Sequence, residues 1–361
     1  MDSIDYIGLD VHKKTITYCI KTASGQVRGE GSVPATKPAL AQWALGLERP
    51  WVGALEATLF TGWVYDHLEP HAQELHVGHS ARLRYIVASK KKNDRVDAAK
   101  LADLLRCDLF PDCYMPPKPM RDLRRMLRFR NTVVAQAVRL KNRMAGMLME
   151  MGEPFDKRRL HGERYFGELL RSLEDVPDSV IELLRMSRGM LEMFEDAQRQ
   201  LLRALREQEP LRERVPRLMT IRAVGEVTGL TWALEVCDPH RFSALRHAVS
   251  YCGLCSAQDN SAGVEHRGPI SKQRNKHLQT ILIEAAKLAP RWNPELAALY
   301  ERELQRGNRN RATLAVARRL VAYLLAVDKR GTDFVERPAP AVEAAAAAQD
   351  GAWDQDLSPG S

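Results

Sequence analysis

The sequence predicts an α/β domain followed by a long helical arm and a mostly α-helical C-terminal domain. Short β-rich runs alternate with stretches of helical spacing over residues 1–110, as is typical of an α/β layer. Apolar residues then recur at helical spacing among many charges over 121–151 and 177–208. A third region, about 215–334, ends with the basic stretch RATLAVARRLVAYLLAV.

The elements of the first region follow from local composition. The segment YIGLDVHKKTITYCI, at 6–20, predicts two short strands around a turn. WVGALE at 51–56 and LHVGH at 75–79 are further apolar runs and predict two more strands. Between these runs, PALAQWALGL at 38–47 and FTGWVYDHLEPH at 60–71 have helical spacing, so we expect strands and helices to alternate.

The later regions begin after a proline-rich break, PDCYMPPKPM. We expect residues 111–212 to form the arm, with its two long helices arranged as a coiled coil. Residues 213–335 form the predicted C-terminal domain. The remainder, 336–361, is rich in Pro and Ala and acidic, which predicts a disordered tail.

Composition narrows the class of protein. With 45% hydrophobic and 28% charged residues, the 361-residue chain has the composition of an ordinary soluble globular protein. No apolar run approaches the roughly 20 residues that a bilayer span requires. The start MDSIDYIGLD lacks the basic and apolar regions of a signal peptide, so we expect a cytoplasmic location.

The cysteines argue against a disulfide framework and against a zinc site. There are six in a long chain without secretory features, and only Cys252 and Cys255 have C-x-x-C spacing. A structural zinc site of this type needs a second pair of ligands. We therefore expect buried or inert thiols.

Positive charge is concentrated in one part of the chain. Between Arg82 and Arg143, seventeen Lys or Arg residues face six Asp or Glu residues, against a net charge of +8 for the whole chain. This distribution indicates a surface for a polyanion such as a phosphate backbone. On charge alone, a solvated face on long helices is an equal alternative.

Four carboxylates occur where an α/β sheet can bring them together. Asp10 follows an apolar strand pattern, and Glu56 closes the run WVGALE in the same way. Asp94 and Asp97 are three residues apart and therefore lie on one face of the predicted helix. The joint order of these acids, in one α/β region that leads into a basic segment, indicates a shared site.

Such a site needs a cation, because four carboxylates repel one another at neutral pH. Oxygen ligands favour Mg²⁺ or Mn²⁺, which serve phosphodiester chemistry. The alternative is structural: Asp10 starts a turn, Glu56 is an exposed helix residue, and Asp94 caps its helix with Asp97 in the first turn. Under the metal-site interpretation, neighbouring basic residues hold the phosphate backbone: Lys90, Lys91, Lys92 and Arg95.

A resemblance to a known family extends over about 6–330 of the chain. The blocks YIGLDVHKK, ALEAT and KKNDRVDAAKLADLL are followed by TIRAVGEVTG, RFSALRHAVSYCGL and NSAGVEHRGPISKQRNKHLQTILIEAA. In this order they resemble the DEDD transposases of insertion sequences, a family of bridge-RNA-guided serine recombinases. The resemblance implies a RuvC-like (RNase H-like) N-terminal domain, a helical coiled-coil arm and a C-terminal transposase domain.

The resemblance also implies site residues. The four acids that bind metal in the family match Asp10, Glu56, Asp94 and Asp97. The family's nucleophilic serine matches Ser261 in GLCSAQDNSAG. By sequence alone Ser261 is a turn residue, since DNSAG is turn chemistry; its nearest rivals as nucleophile are Ser250 and Ser256.

The chain departs from the family pattern at two places. Ser261 is followed by Ala262 and Gly263, whereas the family has Ser-Gly, so the backbone beyond the serine is less free. The family's Pro-Gly-Ile-Gly hairpin appears at 222–225 as Arg-Ala-Val-Gly. A side-chain contact from Arg222 can replace the close backbone approach to phosphate that glycine permits.

The activity implied by the resemblance is DNA transposition through a covalent phosphoserine, with Mg²⁺ at the four acids. The implied partners are donor and target DNA, a structured guide RNA, and further copies of the chain that form a homodimer and then a tetramer with composite sites. The implied location is the bacterial cytoplasm, at the nucleoid when bound to DNA. The candidate nucleic-acid contacts are Lys90, Lys91, Lys92, Arg95, Arg222, Arg267, Lys272, Arg274 and Lys276.

Two other functions remain open at this point. One is a structure-selective nuclease that cuts junctions with metal-activated water and in which Ser261 only forms a turn. The other is a non-catalytic scaffold for nucleic acid, in which the acids are helix caps and ion-pair partners.

Overall fold

A computed structural model describes residues 4–87, 93–261 and 264–335. The chain divides into two compact units, Met1–Asp122 and Leu123–Ser361. Lys90, Lys91 and Lys92 lie outside the described residues, as does the predicted tail 336–361. No described helix is long and apolar enough to cross a membrane.

The first unit is built on a five-stranded mixed sheet, which confirms the predicted α/β region. The strand order is β3-β2-β1-β4-β5. β1 pairs antiparallel with β2, which pairs antiparallel with β3, whereas β1, β4 and β5 run parallel. The strands are β1 Asp5–Val11, β2 Thr15–Lys21, β3 Val27–Pro34, β4 Trp51–Glu56 and β5 Glu74–Gly78.

Strand β3 was not predicted from the sequence. Its sequence, VRGEGSVP, contains two glycines and a terminal proline, which are poor strand formers, and five of its eight residues are exposed. It forms because it pairs with β2 from Thr15↔Pro34 to Lys21↔Val27 at the edge of the sheet. Pairing with a neighbouring strand, rather than local propensity, determines this element.

The helices lie on both faces of the sheet. The side chains of Ile7, Leu9 and Val11 alternate along β1 and are buried in a core with residues of α1 and α2. The intervening residues of β1 face α4, whose buried residues include Ala98 and Ala102. The four helices are α1 Lys37–Leu45, α2 Thr61–Leu68, α3 Ser80–Val87 and α4 Asp94–Arg106.

The start of α4 shows that Asp94 is not the N-cap of the helix, as one interpretation of the sequence had it. The cap is Asn93, whose side-chain oxygen accepts a hydrogen bond from the backbone N–H of Arg95 at 3.1 Å. Asp94 is the first helical residue and Asp97 also lies in the first turn. The side chain of Asp94 is therefore available for another role.

Two long helices follow, as the sequence predicts. They are α5 Lys118–Glu150 and α7 Asp178–Arg206, separated by α6 Glu163–Ser172. Buried residues of all three helices, among them Met144, Phe166 and Leu184, share one core. Polar contacts between α5 and α7 include Lys141 with Glu195 at 3.4 Å. The arrangement of these helices as a coiled-coil arm stays a prediction.

The rest of the second unit is mostly helical, with one hairpin. Its strands are polar, and the first reads SAQDNS, a pattern without the alternation that predicts a strand. The helices are α8 Glu209–Arg212, α9 Arg214–Met219, α10 Glu226–Val236, α11 Leu245–Tyr251, α12 Lys276–Leu288, α13 Pro294–Gln305 and α14 Arg309–Arg330, and the strands are β6 Ser256–Ser261 and β7 Val264–Ile270.

All six cysteines lie in the described part of the chain, and none of them forms a disulfide. Cys19, Cys237 and Cys252 are buried, and burial raises the pKa of Cys252 to about 12. Cys107 is exposed, and Cys113 and Cys255 are half-buried; that these thiols are inert stays a prediction.

Candidate metal centre and nucleophile

Strand pairing places two of the predicted acids side by side. β1 and β4 are parallel, with Leu9 and Leu55 as register partners. The next residues, Asp10 and Glu56, therefore stand at the same carboxyl edge of the sheet. Asp10 is largely buried and Glu56 is half-buried.

Helix α4 brings the other two acids to the same edge, because it lies against the backbone of β1. A Cβ atom added to Gly8 would come within 2.0 Å of the Ala98 carbonyl oxygen and 2.6 Å of the Ala102 nitrogen. Lys21 of β2 also holds the helix, through a 2.6 Å contact between its Nζ and Oδ2 of Asp103. The start of α4, with Asp94 and Asp97, is positioned by these contacts.

Three side chains converge at this edge. The Nε2 atom of His12 lies 3.2 Å from Oδ2 of Asp10 and 3.6 Å from Oδ1 of Asp94. The three potential ligand atoms all lie within 4.8 Å of one another. Among the described residues, Asp10, His12 and Asp94 form the one group of acids, histidines or cysteines whose potential ligand atoms lie this close together. Glu56 and Asp97 are not members of this group.

The pKa of Asp10 depends on its burial, on the charges of His12 and Asp94 and also on that of Asp97. Burial raises the pKa of Asp10 above its ordinary value. The charge and hydrogen bond of His12 lower the pKa, whereas the negative charges of Asp94 and Asp97 raise it. The carboxylates therefore repel one another here, and a divalent cation would relieve that repulsion.

The donor atoms fit a divalent metal ion. Carboxylate oxygens suit Mg²⁺ and Mn²⁺, and imidazole suits transition metals. Sequence analysis predicted Asp10 and Asp94 for this site but missed His12. The available signal was its position two residues after Asp10, since residues at that spacing in an extended chain share a face.

Several basic residues lie close to the acids in the sequence. Arg82, Arg84 and Arg95 are among those that the structure describes. Arg95 is mostly exposed, with its Nη1 atom 3.6 Å from Glu30. Arg82 and Arg84 are exposed on α3. These side chains can reach a phosphate backbone from the solvent.

Ser261 is the last residue of β6 and is paired with Val264 across the hairpin. Residues 262–263 between them lie outside the described part. Two backbone hydrogen bonds hold the base of the hairpin, from Ser271 to Cys255 and from Asn275 to Tyr251, both at 3.0 Å. The structure thus places Ser261 at the tip of an anchored hairpin. Of its rivals, Ser250 lies in α11 and Ser256 at the base.

A buried carboxylate, that of Glu235, contacts the N-cap of α12, the helix that follows this hairpin. Arg128 donates two hydrogen bonds of 2.8 Å to Glu235, whose side chain is fully buried. Asn275 donates a third, also at 2.8 Å, and its own side-chain oxygen caps α12. Burial by itself raises the pKa of Glu235, but the hydrogen bonds from Arg128 and Asn275 and the charges of Arg128 and Arg124 outweigh it and lower the pKa.

The remaining candidate contacts lie in loops and at helix starts. Arg222 is exposed and precedes Ala223, whose φ of 78° is in the region that favours glycine. The chain thus adopts the glycine conformation without a glycine. Lys272, Arg274 and Lys276 are exposed just after the hairpin, and Arg267 lies on β7.

Two family models match the chain. Residues 7–152 match a model described as "Transposase", of the DEDD IS110 type. Residues 215–301 match "Transposase IS116/IS110/IS902 family". The first match contains the converging acids and the second contains Ser261.

Several curated proteins are similar to the chain. A "Probable family 20 transposase" of Pseudomonas aeruginosa is 26% identical over 228 residues, which cover 61% of this chain and 68% of that protein. The transposase for insertion sequence element IS1328 of Yersinia enterocolitica is 23% identical, with 79% of this chain and 86% of that protein covered. The corresponding protein of element IS1111A from Coxiella burnetii is 26% identical, over 63% and 64%.

Proposed function

This chain carries the two domains of IS110-family insertion-sequence transposases, and from this premise we propose that it cuts and rejoins DNA through a covalent phosphoserine at Ser261. The observation that carries the proposal is the convergence of Asp10, His12 and Asp94 at the edge of the sheet. This arrangement lies within the matched DEDD domain.

In the proposed reaction, each step replaces one phosphoester bond with another. The Ser261 oxygen forms a bond to phosphorus, one P–O bond of the DNA strand breaks, and the released sugar oxygen takes up a proton. A hydroxyl group from another strand then attacks the phosphoserine and releases the serine. Because each broken bond is exchanged for a similar one, strand exchange needs no ATP.

The metal site supports this chemistry. Asp10, Glu56, Asp94 and Asp97 would hold Mg²⁺, with Mn²⁺ as a substitute, in the manner of the DEDD family. When bound, the ion supplies charge stabilisation to the phosphate that reacts. The carboxylates would keep the ion at the sheet edge, and the exposed Arg95 would hold the neighbouring phosphate backbone.

The proposed partners are donor DNA, target DNA and a structured guide RNA, bound by a homodimer that assembles into a tetramer. The resemblance to bridge-RNA-guided recombinases supports the RNA and the assembly. The concentration of basic residues between 82 and 143 supports polyanion binding. The proposed location is the bacterial cytoplasm, at the nucleoid.

The test is to trap the covalent adduct. Purified protein is incubated with nicked donor DNA and guide RNA, with and without Mg²⁺, and the adduct is mapped by peptide mass spectrometry. We expect phosphoserine at Ser261 and a loss of strand transfer of at least about 100-fold in Ser261→Ala. Ser256→Ala, at the base of the same hairpin, is the matched control and should retain the adduct.

Other outcomes identify the alternatives. DNA cleavage by Ser261→Ala at the wild-type rate would indicate a nuclease that uses water as its nucleophile. An adduct on Ser256 would identify Ser256, rather than Ser261, as the nucleophile. If the wild type does not cleave DNA and Asp10→Asn leaves its nucleic-acid and metal binding unchanged, the chain is a non-catalytic nucleic-acid-binding scaffold.

A further inference from the structure

We propose that His12 is a direct metal ligand, so that the centre is a mixed carboxylate and imidazole site with a preference for Mn²⁺ over Mg²⁺. The inference rests on the proposed metal centre and adds a nitrogen ligand to its four acids. It assigns a role to a side chain that neither the sequence pattern nor the family comparison singles out.

The position of His12 is fixed by the turn between β1 and β2. Its backbone N–H donates to the carbonyl oxygen of Thr15 at 2.9 Å, directly after the last residue of β1. The tight turn continues the strand that carries Asp10, so the two side chains leave the backbone on the same side. The imidazole is thus held at the carboxyl edge by the fold of the sheet.

The distances suit ligands of one ion. Atoms bound about 2.0–2.1 Å from a metal at right angles are about 3 Å apart. The 3.2 Å and 3.6 Å separations of the His12 Nε2 atom from Asp10 and Asp94 require only small movements to reach that value. His12 is half-exposed, so its ring has room for such a movement.

The nitrogen ligand has a chemical consequence. Imidazole is a borderline donor that transition metals bind better than Mg²⁺, whose preferred ligands are oxygens. A site made only of carboxylates discriminates weakly between Mg²⁺ and Mn²⁺. One imidazole in the coordination sphere shifts this balance toward Mn²⁺.

The experiment uses the full-length protein without a histidine tag, loaded with Mn²⁺ at constant pH and measured by pulsed electron paramagnetic resonance. We expect electron spin echo modulation from a directly bound ¹⁴N nucleus. His12→Gln should remove the modulation and weaken Mn²⁺ binding by roughly tenfold or more, with a smaller effect on Mg²⁺, both measured by calorimetry.

The matched control is His76→Gln. His76 also lies between two carboxylates, with Nδ1 3.0 Å from Asp112 and Nε2 3.3 Å from Glu74, on strand β5, which pairs with β4. Its replacement should leave both the nitrogen modulation and the Mn²⁺ affinity unchanged.

The outcomes separate this inference from the proposed function. Bound Mn²⁺ that is lost in Asp10→Asn but shows no nitrogen modulation would overturn the role of His12 and leave the metal centre intact. In that case His12 serves as a counter-ion that withdraws when metal binds. Absence of Mn²⁺ binding, or binding that Asp10→Asn does not change, would overturn both the inference and the proposed centre.

Discussion

At the residue scale, Gly8 is the small residue on which the proposed metal centre depends. Its missing side chain lets α4 lie against β1 with backbone atoms where a Cβ atom would otherwise be. Both obstructing atoms belong to the helix backbone, so a rotamer change cannot relieve the clash. Helix α4 carries Asp94 and Asp97, and a shift of the helix therefore moves two of the proposed ligands.

We predict that Gly8→Ala lowers the free energy of unfolding by about 1–3 kcal/mol, the usual range for overpacking. Mn²⁺ affinity should fall in the folded variant because Asp94 moves away from Asp10. Urea denaturation and calorimetric titration measure the two effects. Gly29→Ala is the control, since the nearest atom to its added Cβ is a side-chain carbon of Ile20 at 3.6 Å. Equal effects of the two substitutions would contradict this account of Gly8.

At the element scale, the network around Glu235 ties three helices together. Arg128 belongs to α5, Glu235 to α10, and Asn275 caps α12, the helix that follows the hairpin carrying Ser261. The carboxylate is fully buried, so its charge depends on these partners. The network therefore fixes the base of the hairpin.

We predict that Arg128→Met lowers the free energy of unfolding by about 3 kcal/mol, because it leaves a buried carboxylate with too few partners. Adding Glu235→Gln should recover most of the loss, since the double variant has no buried acid left to satisfy. Arg139→Met, an exposed change on the same helix, is the control. Additive losses in the double variant would contradict this explanation.

The ion pair between Arg128 and Glu235 also makes the folding stability depend on pH, and the stability should fall as the pH becomes acidic. The pKa of Glu235 is lowered in the folded protein, so its pairing stabilises the fold above the ordinary carboxyl range. The stabilisation disappears as the pH falls through the folded-state pKa. Acid denaturation of the wild type should therefore be steeper than that of the double variant, as measured by urea midpoints across the acid range.

At the scale of the whole molecule, the distribution of charge determines how nucleic acid binds. The net charge is +8, and the excess between 82 and 143 is larger than this total, so the rest of the chain is slightly acidic overall. Exposed cations after the hairpin, Lys272, Arg274 and Lys276, form a second group of basic residues, in the second unit. Binding should then release counterions from both places.

We predict that DNA affinity, measured with Ser261→Ala, which is expected to be catalytically inactive, falls steeply with salt. Replacing Lys272, Arg274 and Lys276 with Gln should reduce the slope of log K against log salt by about 0.9 for each phosphate that the variant no longer neutralises. The same replacement at Arg158, Arg164 and Arg171, which are exposed in and near α6, is the control. Identical slopes in the two triple variants would contradict a role for the cluster.

Features that depend on local sequence could be predicted. The alternation of strands and helices over the first unit, the two long helices and the largely helical character of the C-terminal part follow from periodicity and composition. The four acids were predicted as a shared site from their places at strand ends and on one helix face; the structure brings Asp10 and Asp94 together, and metal binding by the four stays a prediction. Local patterns carry these features because neighbours in the chain determine them.

Features that depend on contacts between residues far apart in the sequence could not be predicted. The glycine-rich strand β3 exists because β2 pairs with it, and the polar hairpin β6–β7 has no alternation to indicate it. His12 stands beside Asp94 only because Gly8 admits α4 to the surface of the sheet. The sequence by itself determined which acids and cations are available for the proposed DNA chemistry. Tertiary packing decided which of them converge, because distances of 3–4 Å between remote side chains are set by how closely backbones approach.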